Sequence, residues 1–195
     1  MARKRTTVPS QPADARAQRS VDALRMAFLE LIERRPLEQI LLRDITEAAG
    51  LSYPTFFRRF GSKEELLIDI ARGEVRELMA RGEEAMTARE TLAGGPMCEY
   101  VHEHRKLWKT LLTGGATAAM REEFIFVAKE IANRRLPANP VIPFDLAVSF
   151  TANGWFEIFA WWMRQPDDYP VGNIIKLVDN LVITPIARPG DITLE

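Results

Sequence analysis

The chain is short of several things, and each shortage narrows its function. It has one cysteine, Cys98, and two histidines, His102 and His104, among 195 residues. A single thiol rules out an intrachain disulfide and any cysteine-rich zinc module. No apolar run approaches the roughly 20 residues needed to cross a bilayer, and the N-terminus has no apolar signal segment, so a cytoplasmic location is expected. No glycine-rich phosphate loop or nucleophile elbow occurs, and the acidic residues fall mainly on charged helix faces, so no enzyme is expected. Cys98 and His102 would share one helix face. A metal there would need carboxylates such as Glu99, and so thin a set gives no reason to expect a metal or any other cofactor.

The 47% of hydrophobic residues is enough for a sizeable core in one or two domains. The net charge of −1 conceals a division along the chain. Residues 1–63 hold 12 Lys and Arg against 7 Asp and Glu, whereas residues 64–195 hold 14 against 20. A basic first third and an acidic remainder would turn the molecule's N-terminal end toward a polyanion.

Apolar periodicity is helical throughout, and no strand-like alternation competes with it. Residues 1–15, with Arg3-Lys4-Arg5 followed by Pro, Ser, Gln and Thr, read as a disordered basic arm that either touches DNA or has no fixed role. Val21, Leu24, Phe28, Leu31 and Ile32 mark a first helix ended by Pro36. A second helix with Ile45, Ala48 and Ala49 inward stops at Gly50. Ser52 is a candidate N-cap for a short third helix with Pro54 in its first turn. Ser62-Lys-Glu-Glu65 then forms a capping box for a long fourth helix through Leu66, Leu67, Ile70, Val75 and Leu78. Further helices are expected at about 97–112, 117–136, 143–164 and 171–187.

The first helices have the division of labour of a helix-turn-helix: one braces while the next presents side chains to base edges in the major groove. Phe56 and Phe60, four apart, should face inward. Tyr53, Thr55, Phe57, Arg58 and Arg59 are left on the outer face, where arginine can grip guanine or phosphate. Arg43 and Lys63 sit near helix starts that would approach phosphates. The same cations would also suit the solvated face of a small bundle.

Asp44-Ile-Thr-Glu-Ala-Ala-Gly-Leu-Ser, Thr55-Phe-Phe-Arg-Arg-Phe and Ser62-Lys-Glu-Glu-Leu66 together resemble the N-terminal domain of the TetR family of transcriptional regulators. The resemblance covers about residues 17–70. It implies an all-α chain with a three-helix helix-turn-helix domain at 16–63, a helical effector-binding and dimerisation domain at 64–187, and a tail at 188–195. It also implies a homodimer on a pseudo-palindromic double-stranded DNA operator, a ligand-responsive repressor by function, with contacts from Arg43, Tyr53, Pro54, Thr55, Phe57, Arg59 and Lys63, to which the reading of the third helix adds Ser52 and Arg58. Three positions depart from the pattern. Leu41 stands where a capping Thr is common, Phe57 where Tyr is usual, and Arg59 where His is frequent, which shifts the phosphate grip from hydroxyls toward arginines.

The second half is rich in aromatic residues, most of which a helical domain of this size would use as core. The family resemblance implies an effector within that half, and His104, Trp108, Met120, Phe124, Trp155 and Phe159 are the candidate lining for a small apolar or aromatic molecule. Apolar residues on more than one face of the last two helices point to a four-helix dimer interface built from about 143–164 and 171–187. The competing reading has the acidic half bind a protein partner that controls the DNA domain, with no small-molecule effector.

Overall fold

A computed structural model describes residues 12–88, 94–135 and 142–187; most of the expected basic arm and the expected tail lie outside these. Every regular element among them is helical. The chain divides into two compact units, Met1–Leu66 and Leu67–Glu195.

The first unit holds α1 (Pro12–Arg34), a 3₁₀ turn (Leu37–Gln39), α2 (Leu42–Ala48) and α3 (Tyr53–Phe57). Helix α1 begins inside the segment expected as an arm. Its buried Leu24, Phe28 and Ile32 meet Ile40, Ile45, Phe56 and Phe60 in a core that is almost wholly removed from water. The expected inner face of α2 is only partly right, because Ala48 is exposed and Ala49 half-buried. Thr46 is buried instead, its hydroxyl donating to the Leu42 and Arg43 carbonyls at 3.2 and 3.0 Å. A side chain that satisfies itself against its own helix can be buried at little cost.

Gly50 closes α2 at φ 64°. The Leu51 N–H reaches the Thr46 carbonyl at 2.9 Å and the Gly50 N–H reaches that of Glu47 at 3.1 Å, the paired bonds of a Schellman turn. This turn fixes the angle at which α3 leaves α2. A Cβ on Gly50 would meet no atom within 4 Å, so only the left-handed backbone opposes a side chain there. Gly50→Ala should therefore cost about 1 kcal/mol, measured by urea denaturation; an unchanged stability would show that the turn does not need its left-handed residue.

Helix α4 (Lys63–Ala88) starts with a variant of the expected capping box in which the glutamate reaches back one residue further, to Gly61. The Ser62 hydroxyl accepts the Glu65 N–H at 3.1 Å, and the Glu65 carboxylate accepts the Gly61 N–H at 2.6 Å. The helix continues unbroken from the first unit into the second. There its Arg76 and Arg72 pair with Glu123, a buried residue of α7 (Thr117–Arg135), at 2.6 and 3.9 Å.

The helix expected at about 97–112 is two helices, α5 (Gly95–Glu103) and α6 (Arg105–Thr113). His104 lies between them at φ −108°, ψ 28°, outside helical geometry. Its ring takes the place of a further turn: Nδ1 lies 2.9 Å from the Tyr100 carbonyl, and the imidazole packs on the Tyr100 ring at 4.4 Å. Apolar spacing is continuous across the break, which is why periodicity alone reads one helix.

Arg105, the first residue of α6, is almost fully buried. One guanidinium nitrogen donates to the carbonyls of Trp162 and Gln165 at 2.9 and 2.8 Å, and Nε donates to Asp167 at 3.0 Å. It thus adds a charged donor at the end of α8 (Phe144–Trp162), where the Trp162 carbonyl also accepts the Gln165 N–H at 2.9 Å. The chain finishes with α9 (Val171–Val178), a π-helical turn (Asp179–Ile183) and α10 (Thr184–Ala187). A Cβ on Gly154 of α8 would lie 2.8 Å from the Val182 side chain, so that glycine permits the close crossing of α8 by the π turn.

Candidate nucleic-acid interface

Helix α3 has five residues, too short to be stable on its own, and tertiary anchoring holds it. Phe56 is fully buried and Phe60 nearly so, their rings 5.9 Å apart, and Phe56 meets Phe57 edge-on at 5.5 Å. Pro54 falls in the first turn, where its missing N–H leaves nothing unpaired. With Phe56 fixed inward, Tyr53 and Phe57 of α3 and Arg58 and Arg59 of the turn that ends it are left outward, and all four are exposed.

Tyr53 and Phe57 are 43% and 54% exposed, a large apolar area to leave in water on so small a helix. Ser52, Thr55 and Arg58 form a chain along the same edge. The two hydroxyls lie 3.1 Å apart, and the Arg58 guanidinium donates to Thr55 at 2.8 Å. That bond uses one donor of the guanidinium and leaves the others for a phosphate or base. Arg43, on α2, is exposed and faces Glu47 at 3.7 Å, a surface pair too weak to immobilise it.

Two sites differ in detail from what sequence reading anticipates. At the start of α2 the Asp44 carboxylate accepts the Leu41 N–H at 2.9 Å and pairs with Arg35 at 2.9 Å. Leu41 has no oxygen to return the cap, and its side chain is 57% exposed. Lys63 is half-buried, its ammonium donating to the carbonyls of Leu37 and Ile40 at 3.1 and 3.0 Å. It clasps the end of the 3₁₀ turn to the start of α4. Two of its three N–H donors are thereby engaged within the protein.

The candidate effector residues belong to the second unit. Trp108, Met120, Phe124, Trp155 and Phe159 are buried, with Trp108 on Phe159 at 5.7 Å, Trp155 on Phe159 at 5.2 Å and Phe124 on Phe156 at 5.8 Å. His104 is exposed at the break between α5 and α6. Sequence reading missed Glu74, on α4, whose carboxylate accepts the Tyr100 hydroxyl at 2.8 Å. Burial pushes the Glu74 carboxyl above its ordinary range, opposed by the Tyr100 bond and by His104. Nothing in periodicity marks it, since a glutamate at that position reads as another solvated charge.

Cys98 is fully buried, and burial, aided by Asp179 and Glu99, pushes its thiol up to about 12. That makes it inert as a nucleophile. Among the described residues no group of three or more His, Cys, Asp or Glu could hold a metal ion, and no helix is long and apolar enough to cross a membrane.

Residues 26–70 match the family model described as bacterial regulatory proteins, tetR family. No curated protein matches the chain. Among solved structures it is similar to a TetR transcriptional regulator from Streptococcus agalactiae 2603V, at 20% identity and a TM-score of 0.58, over 87% of this chain and 97% of that one. It is also similar to RolR, solved in complex with the ligand resorcinol, at 14% identity and a TM-score of 0.62, over 86% of this chain and 96% of that one. At these identities the structures establish a shared fold, and the family match falls on the helices whose outward side chains are described above. By that match, residues 26–70 carry the N-terminal domain described by the tetR family model, and the chain shares the fold of the two solved regulators.

Proposed function

We propose that the protein is a ligand-responsive repressor that binds a pseudo-palindromic operator as a homodimer. The observation that carries the DNA half of this reading is the outer side of α3 and the turn that ends it, where Tyr53, Phe57, Arg58 and Arg59 stand in water around the anchor of Phe56. Aromatic and guanidinium groups so placed suit a groove lined with phosphates and base edges. Arg43 adds charge from α2. Lys63 acts chiefly as a clasp that holds the 3₁₀ turn and α4 together. Selecting bound fragments from random DNA tests the reading: a symmetric motif with half-sites about one helical turn apart is expected, and no enrichment over background would overturn it.

The homodimer reading rests on α8 and the π turn, which leave Leu146, Phe150 and Leu181 between 53% and 58% exposed. In a two-fold assembly each such residue meets the partner twice over, so one substitution acts at two places. Phe150→Asp should weaken the dimer by about tenfold or more in Kd, seen as monomer in sedimentation at micromolar concentration. A dimer that is equally tight in the variant would place the interface elsewhere.

Effector control is the remaining part. Binding within the second unit would favour one of two arrangements of α4, which runs unbroken from its cap at Ser62 beside the DNA-reading helices into that unit. A second reading rests on Phe126 of α7, which is 54% exposed although it lies outside the helices assigned to the dimer. There a protein partner would supply the control. Operator release by a small molecule, with purified components alone, decides for the first reading.

A further inference from the structure

The two arginines that follow Phe57 are neighbours in sequence but differ in what holds them. Arg59 is exposed and has no hydrogen bond or ion pair among the described residues. Arg58 is exposed as well, yet its Nη2 donates to the Thr55 hydroxyl at 2.8 Å. Thr55 is half-buried beside the fully buried Phe56, and its branched side chain has few rotamers open to it on a helix. The oxygen that Arg58 meets is therefore a fixed point.

Ser52 extends the same line. It occupies the N-cap position of α3, where a serine hydroxyl ordinarily accepts a backbone N–H, but its side chain makes no cap bond. Its hydroxyl lies 3.1 Å from that of Thr55 instead. Ser52, Thr55 and Arg58 thus follow one another at three-residue spacing along one edge of a helix anchored by Phe56.

A guanidinium carries five N–H donors: two parallel pairs, both of which include Nη2, and one more. Whichever hydrogen of Nη2 goes to Thr55, one pair remains whole. Among the four bases only guanine shows two acceptors, N7 and O6, on its major-groove edge, and a parallel pair of donors matches them. Such a match depends on orientation, whereas a phosphate accepts a cation from many directions. Holding a long side chain in place before it binds removes part of the rotamer loss that contact with a base would otherwise require.

Resting on the DNA reading above, we propose that Arg58 reads a guanine in each half-site of the operator and that Thr55 is its positioning residue. In the family resemblance Thr55 and Arg59 stand at DNA-contacting places and Arg58 does not; here the Thr55 hydroxyl is turned to Arg58. Arg59, held by nothing, neutralises backbone phosphate whatever the sequence. Arg58 also brings its charge between the two backbones and so shares in the salt dependence, but its paired donors go to the base.

Selection from random DNA, run on full-length wild type, Arg58→Ala, Arg59→Ala and Thr55→Val, tests this. The wild type should enrich a symmetric motif with a guanine in each half-site. Arg58→Ala should lose the preference at that position alone, and Arg59→Ala should keep the whole motif at lower affinity. By fluorescence anisotropy, exchanging that G·C pair for A·T should weaken wild-type binding by at least about tenfold and Arg58→Ala binding by less than about twofold. Thr55→Val, which keeps the shape and removes the hydroxyl, should lose about threefold or more of this discrimination, and should change nothing further in the Arg58→Ala background. None of the three side chains is fully buried, and circular dichroism checks that each variant folds. The proposal is overturned by a motif that Arg58→Ala leaves intact, by loss of the guanine in Arg59→Ala instead, by full discrimination in Thr55→Val, or by a Thr55→Val effect that persists without Arg58. Those outcomes leave the DNA reading standing. No enriched motif in the wild type would overturn that reading and the proposal with it.

Discussion

Replacing Arg58 and Arg59 together by alanine should lower affinity for the selected operator by about a hundredfold at 0.1 M salt, and should reduce the slope of log K against log salt by about two. The expectation follows from how α3 is built. Both guanidinium groups stand in water on the face opposite Phe56, and the one internal contact of Arg58, at 2.8 Å to Thr55, orients it along the helix edge without consuming its remaining donors. Each phosphate neutralised releases condensed counterions, and for duplex DNA the slope changes by about 0.9 per phosphate. Arg59→Ala alone should take about half of the change and act across all sequences alike. Because neither side chain is buried, thermal stability should hold, which separates lost contacts from lost fold. Fluorescence anisotropy with labelled operator, over a salt series, measures both quantities; unchanged affinity and slope in the double variant would remove these arginines from the interface.

The largest effect on stability is expected at Arg105. Arg105→Met keeps the length of the stem beside Trp162 but removes the donors that satisfy the Trp162 and Gln165 carbonyls, the first of which is buried. Losing the charge-assisted bonds of a buried guanidinium should cost about 2–4 kcal/mol, or roughly 5–10 °C in the transition of the second unit, even though the Trp162 carbonyl keeps the Gln165 N–H at 2.9 Å. The bond to Asp167 contributes little to this figure, since that carboxylate is exposed, although the guanidinium beside it does hold its carboxyl below the usual range. Arg105→Lys should recover only a small part of the loss. An ammonium is a single point, whereas the guanidinium reaches the α8 carbonyls and Asp167 from separate nitrogens. Thermal denaturation followed by circular dichroism checks this, and an unaltered transition in the Met variant would mean that water replaces the arginine without loss.

Much of the first unit was legible in the sequence because its determinants are local. The capping box at Ser62-Lys-Glu-Glu65, the glycine stop at Gly50, the proline in the first turn of α3 and the four-residue spacing of Phe56 and Phe60 each act within a few residues of the chain. Lys63 shows where such reading stops. Its positive charge near a helix start pointed to phosphate, but its ammonium is held by carbonyls 23 and 26 residues earlier, a pairing that no spacing rule encodes. The break at His104 escaped for a related reason, since Met97 and Val101 before it and Leu107, Trp108 and Leu111 after it keep one apolar rhythm through a residue that has left the helix.

By itself, the sequence determined an all-helical chain with a basic, glycine-hinged reading domain, because periodicity, caps and turn glycines are short-range and survive as pattern. The tertiary structure alone decided what the polar residues do. Arg105 became the cap of a helix nearly 60 residues away, Glu123 the tie between α7 and α4, and Glu74 the half-buried acceptor of the Tyr100 hydroxyl. A charged side chain reads the same in sequence whether it meets water or another helix. Only the fold, by removing some of these groups from water and choosing their partners, gives each its energy and its role.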